Sequence, residues 1–306
     1  MITWVVGAGG LLGSAIQRHV EEPFDSSPVP WGDLAESATV LRDDTARFFA
    51  EAHGRPWAII WAAGAATVST PAEGTAGELS TLRTLCEAVR EFSPNASGAG
   101  VFFVTSSAGG VYAGSANPPF SVDSTPVPVS PYGELKLAQE AIARELLTDR
   151  CSVVIGRFSN LYGPGQNLDK LQGLISRLAL SAATSKPVNI FVSLDTIRDY
   201  VYVDDAALAT LALVSDAALR PLESPLTTII ASGEPTTIGQ LIRTVNQVTK
   251  RKVPVALGSH ASATAQVADL RLVPFDGAIA RTPLPAGVRR VYLDILDRLQ
   301  QGPLLA

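Results

Sequence analysis

The chain has 306 residues, of which 46% are hydrophobic and 17% charged, and its formal net charge is −5. This length favours one large or two unequal domains, and the longest basic run, at 250–252, is too short to predict a surface for nucleic acid. No apolar run reaches the ~18–20 residues of a transmembrane helix, no signal peptide is recognised in MITWVVGAGG, and Cys86 and Cys151 are expected to be reduced. We therefore expect a cytoplasmic protein with no membrane segment, no metal site and no nucleic-acid partner.

Short apolar segments alternate with amphipathic segments in the first half of the chain. The predicted elements are strands at 2–6, 58–62, 100–107 and 151–159 and helices at 12–20, 78–92 and 131–147. Strands that are apolar on both faces and alternate with helices are typical of a parallel sheet covered on both sides. The predicted fold class is therefore α/β, a Rossmann-like doubly wound parallel sheet.

The pattern changes after Gly165. Helical spacing recurs at 168–183, 204–214 and 236–249, strand-like runs lie at 188–192 and 196–203, and short proline-rich segments follow from about 221. We expect residues 1–165 to form a dinucleotide-binding Rossmann domain and residues 166–306 a smaller substrate-binding lobe. Residues from about 190 to 215 are expected to cross back to the first domain.

Glycines recur every third residue in WVVGAGGLLGSAI, between the first strand and the first helix. Gly7 would make the tight turn, Gly10 would let the backbone approach a pyrophosphate, and Gly13 would let helix and strand pack closely. Leu11 and Leu12 open the helix whose N-terminus would carry the phosphate charge. This spacing in this context predicts a dinucleotide site.

The adenosine end of that site is less clear. An acid about 20 residues beyond the glycines should bind the ribose hydroxyls; Asp33 is the nearest candidate, with Trp31 in the expected place and a solvated loop carboxylate as the alternative. Asp43, or its neighbour Asp44, would contact adenine or cap a helix. No Arg or Lys lies between residues 19 and 41, which favours NAD over NADP.

Small and polar residues follow two further predicted strands. Ala62, Ala63 and Gly64 end the segment at 58–62 and would let a cofactor lie against the backbone. Ser106 and Ser107 end the segment at 100–107, and open α/β sheets bind ligands at the carboxyl ends of their strands. Each stretch alone would be read as an ordinary turn.

Tyr132 and Lys136 lie one turn apart on the predicted helix at 131–147. A cation about 4 Å from a phenol, at an effective dielectric constant of ~20, is worth roughly 4 kcal/mol, which would bring the phenol pKa down towards neutrality. The spacing therefore suits a tyrosinate base tuned by its neighbouring lysine. A surface helix pair is the alternative for such a spacing on its own.

Together with GRFSNLYGPGQN (156–167) and TIRDYVYVDDAA (196–207), these motifs resemble the extended short-chain dehydrogenase/reductases, in particular the NAD-dependent epimerase/dehydratase family acting on nucleotide sugars. The resemblance implies NAD as cofactor and a nucleotide sugar as substrate. It implies Tyr132 as base and acid, Lys136 as its partner and Ser107 as the group that holds the reacting sugar oxygen. It also places Ser106 and Phe158 against the cofactor, and Asn160 and Arg198 at the substrate diphosphate.

Family dehydratases carry an Asp-Glu pair after this serine, where this chain has Ala108 and Gly109, so 4,6-dehydration is not expected. The resemblance implies instead C4 epimerisation, through oxidation to a 4-keto sugar and re-reduction. A 4-ketosugar reductase using NAD or NADP is the first alternative, and a non-catalytic dinucleotide-sensing protein is the second. A homodimer is expected, formed through the helices at 78–92 and 131–147.

Overall fold

The computed structural model describes residues 1–93, 100–168, 173–220, 225–258, 268–274 and 281–302. Its strands are β1 (Ile2–Val6), β2 (Glu22–Pro23), β3 (Trp57–Trp61), β4 (Gly100–Ser107), β5 (Ser152–Phe158), β6 (Asn160–Tyr162), β7 (Val188–Ile190), β8 (Ile197–Arg198), β9 (Tyr200–Tyr202), β10 (Leu226–Ile230), β11 (Thr236–Thr237) and β12 (Val255–Leu257). Its helices are α1 (Leu11–His19), α2 (Leu34–Ala52), α3 (Ala76–Phe92), α4 (Ala108–Val111), α5 (Pro131–Leu147), α6 (Leu174–Thr184), α7 (Val203–Ala218), α8 (Ile238–Thr249) and α9 (Leu284–Gln301), with a short 3₁₀ turn at Ala72–Gly74.

Six parallel strands form the central sheet, in the order β10-β5-β4-β3-β1-β2. The strand order reverses between β1 and β3, and doubly wound sheets bind ligands in the crevice at the carboxyl ends of the strands at such a point. In register, Val6 of β1 pairs with Trp61 of β3, and Trp61 pairs with Val104 of β4. The predicted fold class is confirmed.

Apolar side chains cover both faces of this sheet. Helices α2, α3 and α5 bury residues such as Phe48, Leu85 and Ile142 on one face, and α1 and α7 bury Ile16 and Leu213 on the other. A separate core lies between α6, α8 and α9. Within the described residues, no helix has the length and apolarity that a membrane span requires.

Two elements from the second half of the chain join the sheet that the first half forms: a helix covers one face and a strand extends one edge. Helix α7 packs on α1, and strand β10 pairs in parallel with β5, with Ile230 opposite Phe158. Helix α7 lies largely within the range 190–215, which was predicted to cross back to the first domain. Strand β10 lies later in the chain than that range. The division into domains at residue 165 stays a prediction.

Several elements differ from the sequence-based expectation. Helices α2 and α9 and strand β10 were not predicted, and the predicted run at 196–203 is split between β8 and β9 before α7 begins at Val203. The predicted helix at 168–183 begins at Leu174, while residues 169–172 lie outside the described part of the chain. Strand β4 and helix α5 have the predicted bounds.

A fully buried carboxylate joins α5 to the sheet. Glu140 of α5 accepts two hydrogen bonds from Arg157 of β5, at 2.9 Å and 2.7 Å, and one from Ser106 of β4 at 2.6 Å. Arg157 also donates to the Tyr112 hydroxyl at 2.7 Å. Charge is tolerated here because both partners are paired and hydrogen-bonded.

We expect Glu140→Leu to lower the free energy of unfolding by about 3–5 kcal/mol, because it leaves the Arg157 guanidinium buried without its partner. Urea unfolding monitored by circular dichroism measures this. Glu145→Leu, at an exposed position of the same helix, should change stability by less than about 0.5 kcal/mol. The double variant Glu140→Leu/Arg157→Met should recover most of the loss. A single-variant loss below about 1 kcal/mol would mean that the pair does not hold α5 in place.

Candidate active site

The glycine turn brings the N-terminus of α1 against the end of β3. Gly7 has φ +93°, and a Cβ there would stand 2.6 Å from the Cα atom of Ala63, so only glycine fits. The carbonyl of Gly7 accepts from the Gly10 N–H at 3.0 Å, and a Cβ on Gly13 would collide with that carbonyl. Gly9 and Gly10 are exposed. The turn therefore leaves room above an open helix N-terminus, where backbone N–H groups can bind a phosphate.

The neighbouring predicted cofactor residues lie around this turn. Leu12 is buried against the sheet and Leu11 packs at its margin, so both support the turn from below. The Ala62 N–H donates to the carbonyl of Val6 at 2.8 Å, which holds the end of β3 beside β1, and Gly64 beyond it is exposed. The structure thus brings the two predicted backbone segments together. Their contact with a cofactor stays a prediction.

Asp33 does not end the second strand. Strand β2 ends at Pro23, and the Asp33 carboxylate caps α2 by accepting from Ala35 N at 2.9 Å and Glu36 N at 3.0 Å. Asp33 therefore serves as a helix cap in this structure, a position at which Asp is a preferred residue. Asp43 is exposed in the middle of α2, so it does not cap the helix. Whether either carboxylate contacts the adenosine stays a prediction.

Asp25 is a second acidic residue near the end of β2, which the sequence analysis did not consider. It lies two residues beyond β2 and 18 residues after Gly7 (25 − 7), is exposed, and its carbonyl accepts from Arg47 at 3.1 Å. Trp31 also lies at this edge of the sheet, 48% exposed, with its ring edge-to-face on that of Trp61 at 6.2 Å.

The two serines at the end of β4 have different surroundings. Ser106 is buried and donates to Glu140, so its hydroxyl belongs to the buried network. Ser107 is half-buried, caps α4 by accepting from Gly110 N at 3.1 Å, and its side chain acts to lower the pKa of the Tyr132 phenol. Only the second serine therefore reaches the predicted acid/base residue.

Helix α5 positions Tyr132 and Lys136. Ser130 caps its N-terminus and Pro131 occupies its first turn, so the tyrosine enters directly from the loop. The Lys136 ammonium lies 5.7 Å from the centre of the Tyr132 ring and donates to Gln139 at 2.9 Å and to the Thr105 carbonyl at 3.3 Å. The pair thus faces β4 from within the crevice.

Burial dominates the titration of this pair. Desolvation raises the pKa of Tyr132, opposed by the Ser107 hydrogen bond and supported by the charge of Glu78. Desolvation lowers the pKa of Lys136, opposed by Glu78 and Glu140. The expected lowering of the phenol pKa by Lys136 is therefore wrong for the protein alone, since the ammonium is directed to Gln139 and Thr105 rather than to the phenol oxygen.

The predicted substrate residues lie on β6 and β8, beyond β5. Asn160 donates to the carbonyl of Asp199 at 2.8 Å, and Arg198 donates to the carbonyl of Ile197 at 2.9 Å. Arg198 is 7% exposed, and burial lowers its pKa. Phe158 is buried at the carboxyl end of β5, in register with Ser107. Their roles toward ligands stay predictions.

Metal-ligating residues do not cluster in the described part of the chain, where no group of three or more His, Cys, Asp or Glu side chains could hold an ion. Two acidic residues of the second substrate motif (196–207) are committed to hydrogen bonds within the protein. Asp199 accepts from Ser232 and Gly233, and Asp205 from Thr282. Their carboxylates bind backbone and hydroxyl groups of the second half of the chain.

Comparisons with known proteins agree on the family. The dTDP-4-dehydro-6-deoxyglucose reductase of Escherichia coli is 29% identical over 174 residues, covering 55% of this chain and 52% of that protein. The dTDP-L-rhamnose 4-epimerase of Burkholderia thailandensis is 33% identical over 130 residues, covering 42% of this chain and 35% of that protein. The chain thus spans about half or less of the length of these curated relatives.

A solved structure, that of the UDP-glucose 4-epimerase of Thermotoga maritima with UDP-glucose, superposes with a TM-score of 0.79 at 20% identity, covering 98% of this chain and 100% of that one. This likeness shows the fold. The model of the "NAD dependent epimerase/dehydratase family" matches residues 3–221, which contain the glycine turn, the Ser107–Tyr132–Lys136 group and both substrate motifs. The chain therefore belongs to the NAD dependent epimerase/dehydratase family of enzymes, whose cofactor is NAD.

Proposed function

We propose that the protein epimerises a nucleotide-activated sugar at C4. The observation that carries this proposal is the constellation of Ser107, Tyr132 and Lys136, in which a hydroxyl, a phenol and an ammonium meet at the carboxyl end of the sheet. The glycine turn lies beside the same crevice. The similarity to sugar-nucleotide epimerases of two bacteria supports the substrate class.

The residues at the glycine turn fit the dinucleotide. Side chains are absent at Gly7 and Gly13, where a Cβ would collide with neighbouring backbone, and the exposed start of α1 offers N–H groups to a pyrophosphate. When bound, oxidised NAD would supply a hydride acceptor and a positively charged ring. Asp25 would accept hydrogen bonds from the adenosine ribose, with Trp31 as an apolar wall.

Tyr132 would move the proton of the reacting C4 hydroxyl. Ser107, whose side chain acts on the phenol, would hold the same sugar oxygen and orient the proton transfer. Because burial raises the pKa of Tyr132, the phenol rests protonated and is ready to donate in the reductive half. The oxidative half requires the ionised phenol, which a cation in the crevice would stabilise.

Arg198 and Asn160 would hold the diphosphate of the substrate. A guanidinium presents several donors in a fixed fork that matches phosphate oxygens. Arg198 is buried on β8. Strand β9 follows β8 and pairs with β6, so Asn160 of β6 lies beside the strand that comes after Arg198. Arg198 is a buried cation within residues 166–306, which supports the proposal that this lobe binds the substrate.

A 4-ketosugar reductase is the second candidate. A phenol that rests protonated can supply the proton that a reductase needs, and the Escherichia coli relative is named a reductase. Dehydration at C6 is disfavoured because Ala108 and Gly109 open α4 where an acid and a base would be needed.

A homodimer through α3 and α5 remains a further proposal. These helices pack on one another, and they also cover the sheet.

Tyr132→Phe removes only the phenol oxygen, so we expect turnover to fall by about 10²–10⁴ while folding and NAD binding stay near normal. The assay incubates the protein with NAD and a panel of UDP- and dTDP-hexoses and follows the products by NMR. Epimerisation would form the C4 epimer without net change in the cofactor, whereas reduction would consume reduced cofactor in equal amount.

Tyr292→Phe is the matched control, because this partly buried tyrosine belongs to the separate core of α6, α8 and α9. It should keep normal turnover. If Tyr132→Phe keeps more than about a tenth of the activity of the unmodified protein, Tyr132 is not the acid/base and the mechanism is wrong.

We expect NAD to bind at least about tenfold tighter than NADP, because the Asp25 carboxylate would repel the extra phosphate. Asp25→Asn should bring the two affinities closer. Asp33→Asn, which neutralises another carboxylate but keeps a good helix cap, should leave the preference unchanged. Isothermal titration with both cofactors measures the ratio, and a preference lost in the Asp33 variant instead would return the ribose contact to that residue.

A further inference from the structure

The loop that follows β3 is anchored by the carboxylate of Glu78. Glu78, in the first turn of α3, accepts from Ala65 N and Ala66 N through the same oxygen, each at 2.5 Å. A negative charge at this position also suits a helix N-terminus. One carboxylate oxygen thereby fixes the backbone that continues from Ala62–Gly64, the segment beside the glycine turn.

The other oxygen of Glu78 is buried and has no hydrogen-bond partner among the described residues. It lies 3.3 Å from the position that a Cβ on Gly64 would occupy, and the Lys136 nitrogen lies 3.8 Å from the same point. The free carboxylate oxygen and the ammonium therefore both border the space that a side chain on Gly64 would fill.

We propose that Glu78 is a positioning residue for the Tyr132–Lys136 pair: its carboxylate anchors the loop after β3 and places a fixed negative charge beside both groups. The proposal rests on the proposed function, in which Tyr132 is the acid/base. A buried carboxylate with one unpaired oxygen costs stability, so a charge directed at the pair gives this arrangement a use.

The charged groups around the pair give the direction of the effect. Glu78 faces it from α3 and Glu140 from within α5, while Arg157 of β5 neutralises Glu140 and hydrogen-bonds Tyr112. Glu78 raises the pKa of Tyr132 and of Lys136. Both groups therefore hold their protons to higher pH than they would beside a neutral residue.

Glu78→Gln tests the charge and keeps an oxygen for the two loop N–H groups. The pKa of Tyr132 should fall by about one unit, the order of effect of one charge a few ångströms away. The ultraviolet tyrosinate absorbance of Glu78→Gln minus that of Glu78→Gln/Tyr132→Phe isolates one tyrosine of the six. The same difference between the unmodified protein and Tyr132→Phe gives the reference titration. The acidic limb of the oxidative pH–rate profile should move to lower pH by the same amount.

Glu87→Gln, an exposed position on the same helix, is the control and should shift neither measurement. Glu78→Met removes the anchor as well, so it should weaken NAD binding by about tenfold, whereas Glu78→Gln should not. Unchanged titration of Tyr132 in Glu78→Gln, or an equal shift in Glu87→Gln, would overturn the charge role. Equal NAD affinity in Glu78→Met and the unmodified protein would overturn the anchoring role. Because the tyrosine titration and the NAD-binding measurement need no substrate, they fail separately from the proposed function, which the turnover of Tyr132→Phe decides.

Discussion

The geometry of the site depends on the buried ion pair between Glu140 and Arg157. This pair, with the Ser106 hydroxyl, ties the middle of α5 to β4 and β5 at full burial. Lys136 lies about one turn and Tyr132 about two turns before Glu140 on the same helix, so their distance from the end of β4 follows from this attachment. An apolar contact could slide or rotate at little cost, whereas a bidentate ion pair fixes both position and rotation.

The electrostatics of the site follow from the same burial. Desolvation acts on a phenol and an ammonium in opposite directions, holding the proton on the first and loosening it on the second. The negative charges of Glu78 and Glu140 act against this desolvation and raise the pKa of Lys136. Proton transfer in such a site is governed by which ions enter the crevice, because the fixed charges of the protein nearly balance one another.

Local sequence determined some elements fully. The apolar run at 100–107 and the Ser130–Pro131 cap gave the bounds of β4 and α5 because each signal lies within its own segment. Strand β2 has two residues and no alternation, so the sequence did not locate its end, and Asp25 was not considered beside Asp33. Glu78 was missed for another reason: a carboxylate on an amphipathic helix is usually solvated, and only its contacts with Ala65 and Ala66 distinguish it.

The position of β10 has a consequence for synthesis of the protein. Roughly 70 residues separate β5 from β10 along the chain, although the two strands are neighbours in the sheet. At about 5–20 residues per second, the ribosome would leave the edge of β5 unpaired for about 4–14 s after that strand emerges. An apolar edge strand is a template for pairing with other chains. Nascent chains would therefore depend on chaperones, or on rapid docking of α7, during this interval.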